Sequence, residues 1–150
     1  MEDEYLNLVR LLNQEAVEYV VLGGHAVIAH GYYRTTGDID IFVNATKENA
    51  VKIVSALEKY GYDDGEFEVS DFTLVPNYLS FSRYDGWIDL MTFTVGVTFD
   101  ECYKNRMELT VEGIKVKFIN LPELVKNKKA LARPQDLRDL ENLLGNLGEE

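Results

Sequence analysis

Apolar positions recur along the chain in two periods. Residues 4–17 place Tyr5, Leu8, Val9, Leu12 and Ala16 at three- and four-residue intervals, a stripe that predicts an amphipathic helix. Tyr19-Val20-Val21-Leu22 is a short, β-branched apolar run that predicts a buried strand leading straight into Gly23-Gly24. Residues 25–30 suit a short helix closed by Gly31, and residues 39–43 predict a second strand. Thr46 is placed to cap a helix whose inward face is Ala50, Ile53, Val54 and Leu57, with Gly61 just past its end. The middle of the chain reads as β: residues 71–75, 78–84 and 87–93, the last two joined through the hairpin signal Asp85-Gly86. Residues 99–105 predict another helix, and 109–111 and 114–119 flank Glu112-Gly113 as a second hairpin. Residues 122–132 and 134–144 each begin with a proline, which the first turn of a helix favours.

Helices and strands thus alternate irregularly and include hairpins. The pattern predicts an α+β fold, a mixed β-sheet with helices packed on it. No Pro/Gly/Ser linker and no repeat divides residues 1–150, so one domain is expected, with the helices of 122–144 part of it. Composition agrees: 46% hydrophobic and 27% charged residues exclude a disordered tail, a collagen-like repeat and a coiled coil. The single cysteine, Cys102, has no partner for an internal disulfide and no neighbouring motif that marks a nucleophile. Residues 1–4 are acidic where a signal peptide is basic, and no apolar run approaches ~20 residues, so a cytoplasmic protein without a membrane partner is expected. The formal net charge of −11 argues against an extended nucleic-acid track, which needs Lys and Arg to neutralise phosphates. It leaves room for a small local basic site.

Asp38-Ile39-Asp40-Ile41-Phe42-Val43 carries the most chemistry. Strand alternation sends Asp38 and Asp40 to one face and Ile39, Ile41 and Val43 to the other. Two carboxylates on a half-buried strand repel one another and lose hydration, a cost that a divalent cation offsets. The plain alternative is an Asp-x-Asp on a solvated face. Asp89, in Trp87-Ile88-Asp89-Leu90-Met91, adds a third carboxylate in a similar setting. An Asp pair on one strand and a lone Asp on its neighbour suit two cations about 3.5–4 Å apart, the arrangement of in-line phosphoryl or nucleotidyl transfer. Gly23-Gly24, between a strand and a helix, allows close approach of an anion to the backbone or is simply a tight turn. It is neither a dinucleotide fingerprint nor a Walker-type loop. Arg34 can meet a triphosphate as a bidentate cation or pair with a surface acid.

These residues resemble the DNA polymerase beta-like nucleotidyltransferase superfamily through Leu22-Gly23-Gly24, Asp38-Ile39-Asp40-Ile41 and Ile88-Asp89-Leu90. Gly23-Gly24-x-Ala26, His30-Gly31 and Arg34-x-Thr36 look like its minimal single-domain bacterial branch, as do Lys128, Arg133, Asp136 and Asp139. That branch includes antitoxin-type proteins and abortive-infection toxins. The resemblance implies a polymerase beta palm-like sheet carrying Asp38, Asp40 and Asp89 as catalytic ligands of two Mg²⁺ ions, or Mn²⁺. It further implies an NTP held by Gly23, Gly24, Arg34, Thr36, Lys128 and Arg133. The expected reaction moves an NMP from the NTP to a hydroxyl on a protein, a tRNA or a small molecule, with release of pyrophosphate. A cognate toxin or antitoxin is admitted as partner, and an antitoxin-like protein acting by contact is the rival reading; a metal-dependent phosphatase or nuclease ranks behind both. Many members have Gly-Ser where this chain has Gly23-Gly24, so a hydroxyl that could touch the phosphates is missing.

The remaining candidates are weaker. His25 and His30 are five residues apart and do not share a helix face, and His30 reads as a hydrogen-bonding group at a helix end. Lys126, Lys128, Lys129 and Arg133 form a basic cluster that either reaches a phosphate or is a solvated helix end. One ring of Tyr32-Tyr33 lies close enough in sequence to stack on a base. Tyr5, Tyr19, Phe67, Phe72, Phe81 and Phe118 read as core.

Overall fold

The computed structural model describes residues 1–148. Six strands form one mixed sheet: β1 (Tyr19–Leu22), β2 (Asp38–Val43), β3 (Tyr78–Phe81), β4 (Trp87–Met91), β5 (Met107–Val111) and β6 (Ile114–Phe118). Their order is β3-β4-β2-β1-β6-β5, with β2–β4 and β1–β6 parallel and the other pairs antiparallel. The helices are α1 (Asp3–Gln14), α2 (Gly23–Ala29), α3 (Lys47–Tyr60), α4 (Phe99–Lys104), α5 (Leu121–Leu131) and α6 (Pro134–Gly148). The expected α+β architecture is therefore the observed one.

The core follows from the two periods. In α1 the residues Tyr5, Leu8, Val9 and Leu12 are buried, as their spacing requires, and they meet Ile53 and Leu57 from α3 and the inward side chains Ile39, Ile41, Ile88 and Leu90 of the sheet in one cluster. Thr46 caps α3 by accepting the Asn49 N–H, and Gly61, at φ 132°, ends it. Tyr5, Tyr19, Phe72 and Phe118 are fully buried, and Phe67 and Phe81 pack against the core. Among the described residues no helix is long and apolar enough to cross a membrane.

Four expectations need correction. Helix α1 stops at Gln14, and Ala16 is exposed with φ 57°, so it turns the chain into β1 and does not extend the apolar stripe. Gly23 and Gly24 are the first residues of α2, ahead of the expected start at 25. Residues 71–75 are not a strand: Val69–Phe72 forms a 3₁₀ turn and the chain then bends. Side chains supply the backbone partners that a sheet would have supplied. Asp71 accepts the Glu68 N–H at 2.8 Å, Asn77 Nδ2 donates to the Asp71 carbonyl at 2.8 Å, and the Thr92 hydroxyl donates to the Leu74 carbonyl at 2.7 Å. The hairpin at Asp85-Gly86 exists, but its loop begins at Ser82, whose hydroxyl lies 2.6 Å from the Gly86 carbonyl. The second hairpin is tight, with Glu112 at φ 48° and Gly113 at φ 83°.

Candidate active site

The register of β2 against β4 sets Asp40 directly opposite Asp89, and that of β4 against β3 sets Asp89 opposite Ser80. Pleating then turns Asp38, Asp40 and Asp89 to one face of the sheet, away from the buried Ile39, Ile41, Ile88 and Leu90. Asp38 begins the strand and is exposed, Asp40 is half-buried, and Asp89 is only 5% exposed. Burial first, then the charge of Asp89 and a hydrogen bond to it, push the Asp40 carboxyl up to about 7. Burial and Asp89 also raise Asp38 above its ordinary value. Among the described residues no three His, Cys, Asp or Glu side chains come together closely enough to hold a metal ion between them. Asp40 and Asp89 meet, while Asp38 stands at the rim of the same cavity.

The glycine turn is shaped by its neighbours across the sheet. Leu22 pairs with Asp40, which brings Gly23 against that carboxylate. A Cβ at Gly23 would overlap the Asp40 side chain, and φ 62° disfavours any other residue there. A Cβ at Gly24 would lie 2.6 Å from Thr36 Oγ1 and 3.1 Å from Arg34 Nη1. The second glycine is therefore needed because the Thr36 hydroxyl and the Arg34 guanidinium already occupy the space a serine side chain would enter.

A wall of cations faces the acids. Asp139, fully buried, accepts from Arg34 Nε at 2.9 Å and Nη2 at 3.1 Å, from Lys128 Nζ at 2.8 Å and from Gln135 Nε2 at 2.9 Å. Asp136, 1% exposed, accepts from Lys128 Nζ at 3.1 Å and from Arg133 Nε at 2.6 Å and Nη2 at 3.2 Å. Burial works to raise both carboxyls, but the hydrogen bonds from these cations outweigh it and hold both below the usual range. Three cations balanced by two carboxylates leave this wall with a net positive charge. Lys128 is not part of a solvated helix end: its side chain is 4% exposed and spent on the two aspartates, whereas that of Arg133 is 66% exposed.

Between the two walls lies a cavity of about 620 Å³. It gathers every expected site residue: Asp38, Asp40 and Asp89, Gly23 and Gly24, Arg34 and Thr36, and Lys128 and Arg133. Sequence reasoning missed Tyr78, Phe93, Asn127 and Gln135, which also line it. For Tyr78 the signal was available, since strand alternation from Ser80 places it on the acid face. Partial burial and then the adjacent Asp89 carboxylate hold its phenol above the ordinary range. Tyr33 does not line this cavity; it is 79% exposed and borders a smaller one of about 270 Å³, with His25, Arg34 and Thr36. His30 Nε2 lies 2.8 Å from the Ile119 carbonyl, a helix-end hydrogen bond. Cys102 is buried, and burial pushes its thiol up to about 12, which removes it as a nucleophile.

Solved structures of nucleotidyltransferases share this fold. The lincosamide antibiotic adenylyltransferase LnuA in its lincomycin-bound form is 20% identical with a TM-score of 0.59, the alignment covering 95% of this chain and 96% of that one. A structure from Thermotoga maritima assigned as a nucleotidyltransferase, TM1012, is 18% identical with a TM-score of 0.60, covering 100% of this chain and 96% of that one. An antigenic nucleotidyltransferase-like protein from Paracoccidioides brasiliensis is 16% identical with a TM-score of 0.53, covering 97% of this chain and 78% of that one. The fold is that of a nucleotidyltransferase. More narrowly, the chain belongs to the family described as "Nucleotidyltransferase of unknown function (DUF6036)", which matches residues 3–145. No curated protein matches its sequence.

Proposed function

We propose that the protein is a metal-dependent nucleotidyltransferase that moves an NMP from an NTP to a hydroxyl acceptor and releases pyrophosphate. The carrying observation is the opposition of walls: Asp40 against Asp89 on the sheet, and the Arg34–Lys128–Arg133 cluster facing them across one cavity beside the glycine turn. The donor set fits Mg²⁺ or Mn²⁺, being all carboxylate oxygen, and Asp40 and Asp89 repel each other in a way that a cation would relieve. Asp40 and Asp89 would hold it, and Asp38, which lines the same cavity, would help hold a second ion. When bound, such a cation neutralises the carboxylates and polarises phosphate oxygens.

The remaining work falls to the chain itself. Gly23 and Gly24 keep the turn free of side chains so that a triphosphate can approach the backbone. Arg34 and the exposed Arg133 offer their positive charge and the N–H groups not spent on Asp139, Thr35 and Asp136 to its oxygens. Lys128, buried, fixes Asp136 and Asp139 and through them both arginines. Thr36 packs over Gly24 and sets the position of the loop. Asp89 accepts the proton of the attacking hydroxyl. The acceptor, whether on a protein, a tRNA or a small molecule, enters from the side of Asp38, Tyr78 and Phe93.

The test is incubation with each α-labelled NTP, Mg²⁺ and a cell lysate. Wild type is expected to label an acceptor and Asp40→Asn to label none while keeping its circular dichroism. Full labelling by that variant refutes the assignment. A wild-type protein whose melting temperature ignores every NTP would favour a contact-only, antitoxin-like role.

A further inference from the structure

We infer that Tyr78 is itself an acceptor, so that the protein places a nucleoside monophosphate on its own phenol. This rests on the transferase reading above. Three hydroxyl side chains line the cavity among the described residues: Thr36, Tyr78 and Thr94. Thr36 is engaged, donating to the Asp38 carbonyl at 3.3 Å and lying against the backbone of Gly24. Thr94 is 8% exposed, and its oxygen accepts from Asn127 Nδ2 at 2.9 Å. Tyr78 differs from both. It stands on β3, the edge strand, and is 57% exposed.

Its position relative to the acids is set by the register. Ser80 lies opposite Asp89, and Tyr78, two residues before Ser80, projects from the same face as its diagonal neighbour. An aromatic side chain reaches across that diagonal. The phenol thus lines the cavity beside the carboxylate that takes the proton of an attacking hydroxyl, with Arg133 lining the wall opposite.

In the reaction the Tyr78 oxygen bonds to the α-phosphorus of the NTP. The bond from that phosphorus to the oxygen bridging it to the β-phosphate breaks, and pyrophosphate leaves with the electron pair. The phenol proton passes to an Asp89 carboxylate oxygen. No oxidant or reductant is involved, and the product is an aryl phosphodiester. Tyr78 has one phenol oxygen and the Thr36 and Thr94 hydroxyls are engaged, so the modification stops at one per chain.

Intact-mass spectrometry of the purified full chain after incubation with Mg²⁺ and each NTP tests this, followed by peptide mapping. The expected result is a mass gain of one nucleotidyl group, mapped to Tyr78, and its loss in Tyr78→Phe and in Asp40→Asn. Tyr78→Phe removes a single oxygen from an exposed edge position, and its melting temperature reports that it is folded. An unmodified wild type, or an undiminished adduct in Tyr78→Phe, overturns the inference. If that unmodified wild type still transfers α label to a lysate component, Tyr78 is excluded and the transferase reading stands. If it transfers to nothing, both fall together.

Discussion

Replacing Asp40 by Asn is expected to make the metal-free protein more stable at pH 8, although it removes the residue most central to the site. The Asp40 carboxyl is half-buried opposite Asp89, and burial first and that neighbour second raise it from 3.8 to about 7. An acid whose folded value is raised holds its proton more tightly in the native state. The stability this contributes is full below about 4 and is lost as pH rises through about 7. At pH 8 the folded chain therefore carries two opposed carboxylates. The displacement from 3.8 to about 7 sets a ceiling of roughly 4 kcal/mol. The cavity is open to water and the repulsion is shared with Asp89, so screening leaves about 1–2 kcal/mol. At about 2–4 °C per kcal/mol for a chain of this size, Asp40→Asn should melt roughly 2–8 °C higher in EDTA at pH 8. That advantage should shrink steadily towards pH 4. Saturating Mg²⁺ should reverse the order, raising wild type and leaving the variant unmoved. Differential scanning fluorimetry across pH, with and without Mg²⁺, reads all three. A variant less stable than wild type in EDTA at pH 8, or one whose advantage ignores pH, would refute the reasoning.

Other residues make separate demands. Gly24→Ser should cost about 1–3 kcal/mol by driving a Cβ into Thr36, and Thr36→Gly in the same chain should recover most of it, as a double-mutant cycle in urea would show. Asp139→Ala should cost about 3–5 kcal/mol, because buried Lys128 loses its 2.8 Å partner and Arg34 loses both bonds. Arg133→Ala, with an exposed side chain, should cost under about 1 kcal/mol yet weaken NTP binding by calorimetry. His25 is buried with Nε2 unpartnered, and burial first, then nearby positive charge, lowers it to about 4. Its neutral form stabilises the fold above 6.5, and that stability is lost as pH falls towards 4, opposite in sign to Asp40. His25→Phe should flatten this acid limb in urea melts between pH 7 and pH 5.

The parts of the fold set by local spacing were legible in the chain. The period of two in Asp38–Val43 put both aspartates on one face, and the caps at Thr46 and Gly61 bounded α3 as their side chain and backbone require. What was not legible depends on residues distant in sequence. Asp40 meets Asp89 only because β2 and β4 pair in parallel at one register among several that alternation permits. The need for glycine at 24 comes from Thr36 and Arg34 folding back over it. Lys128 in a basic run looks solvated until the chain turns at Ala132 and α6 delivers Asp136 and Asp139 to it. The stretch 71–75 has strand-like composition, but Asp71, Asn77 and Thr92 bond its backbone locally and hold it out of the sheet.

The central claim is transfer of an NMP, and the position of the label in the NTP tests it most directly. With Mg²⁺ and a heat-inactivated lysate supplying acceptors, α-labelled NTP should leave its label on the acceptor, while γ-labelled NTP should release its label entirely as pyrophosphate. Retention of the γ label on an acceptor would mark a kinase, and release of free phosphate a hydrolase. Either result would contradict a nucleotidyltransferase built on Asp40 and Asp89.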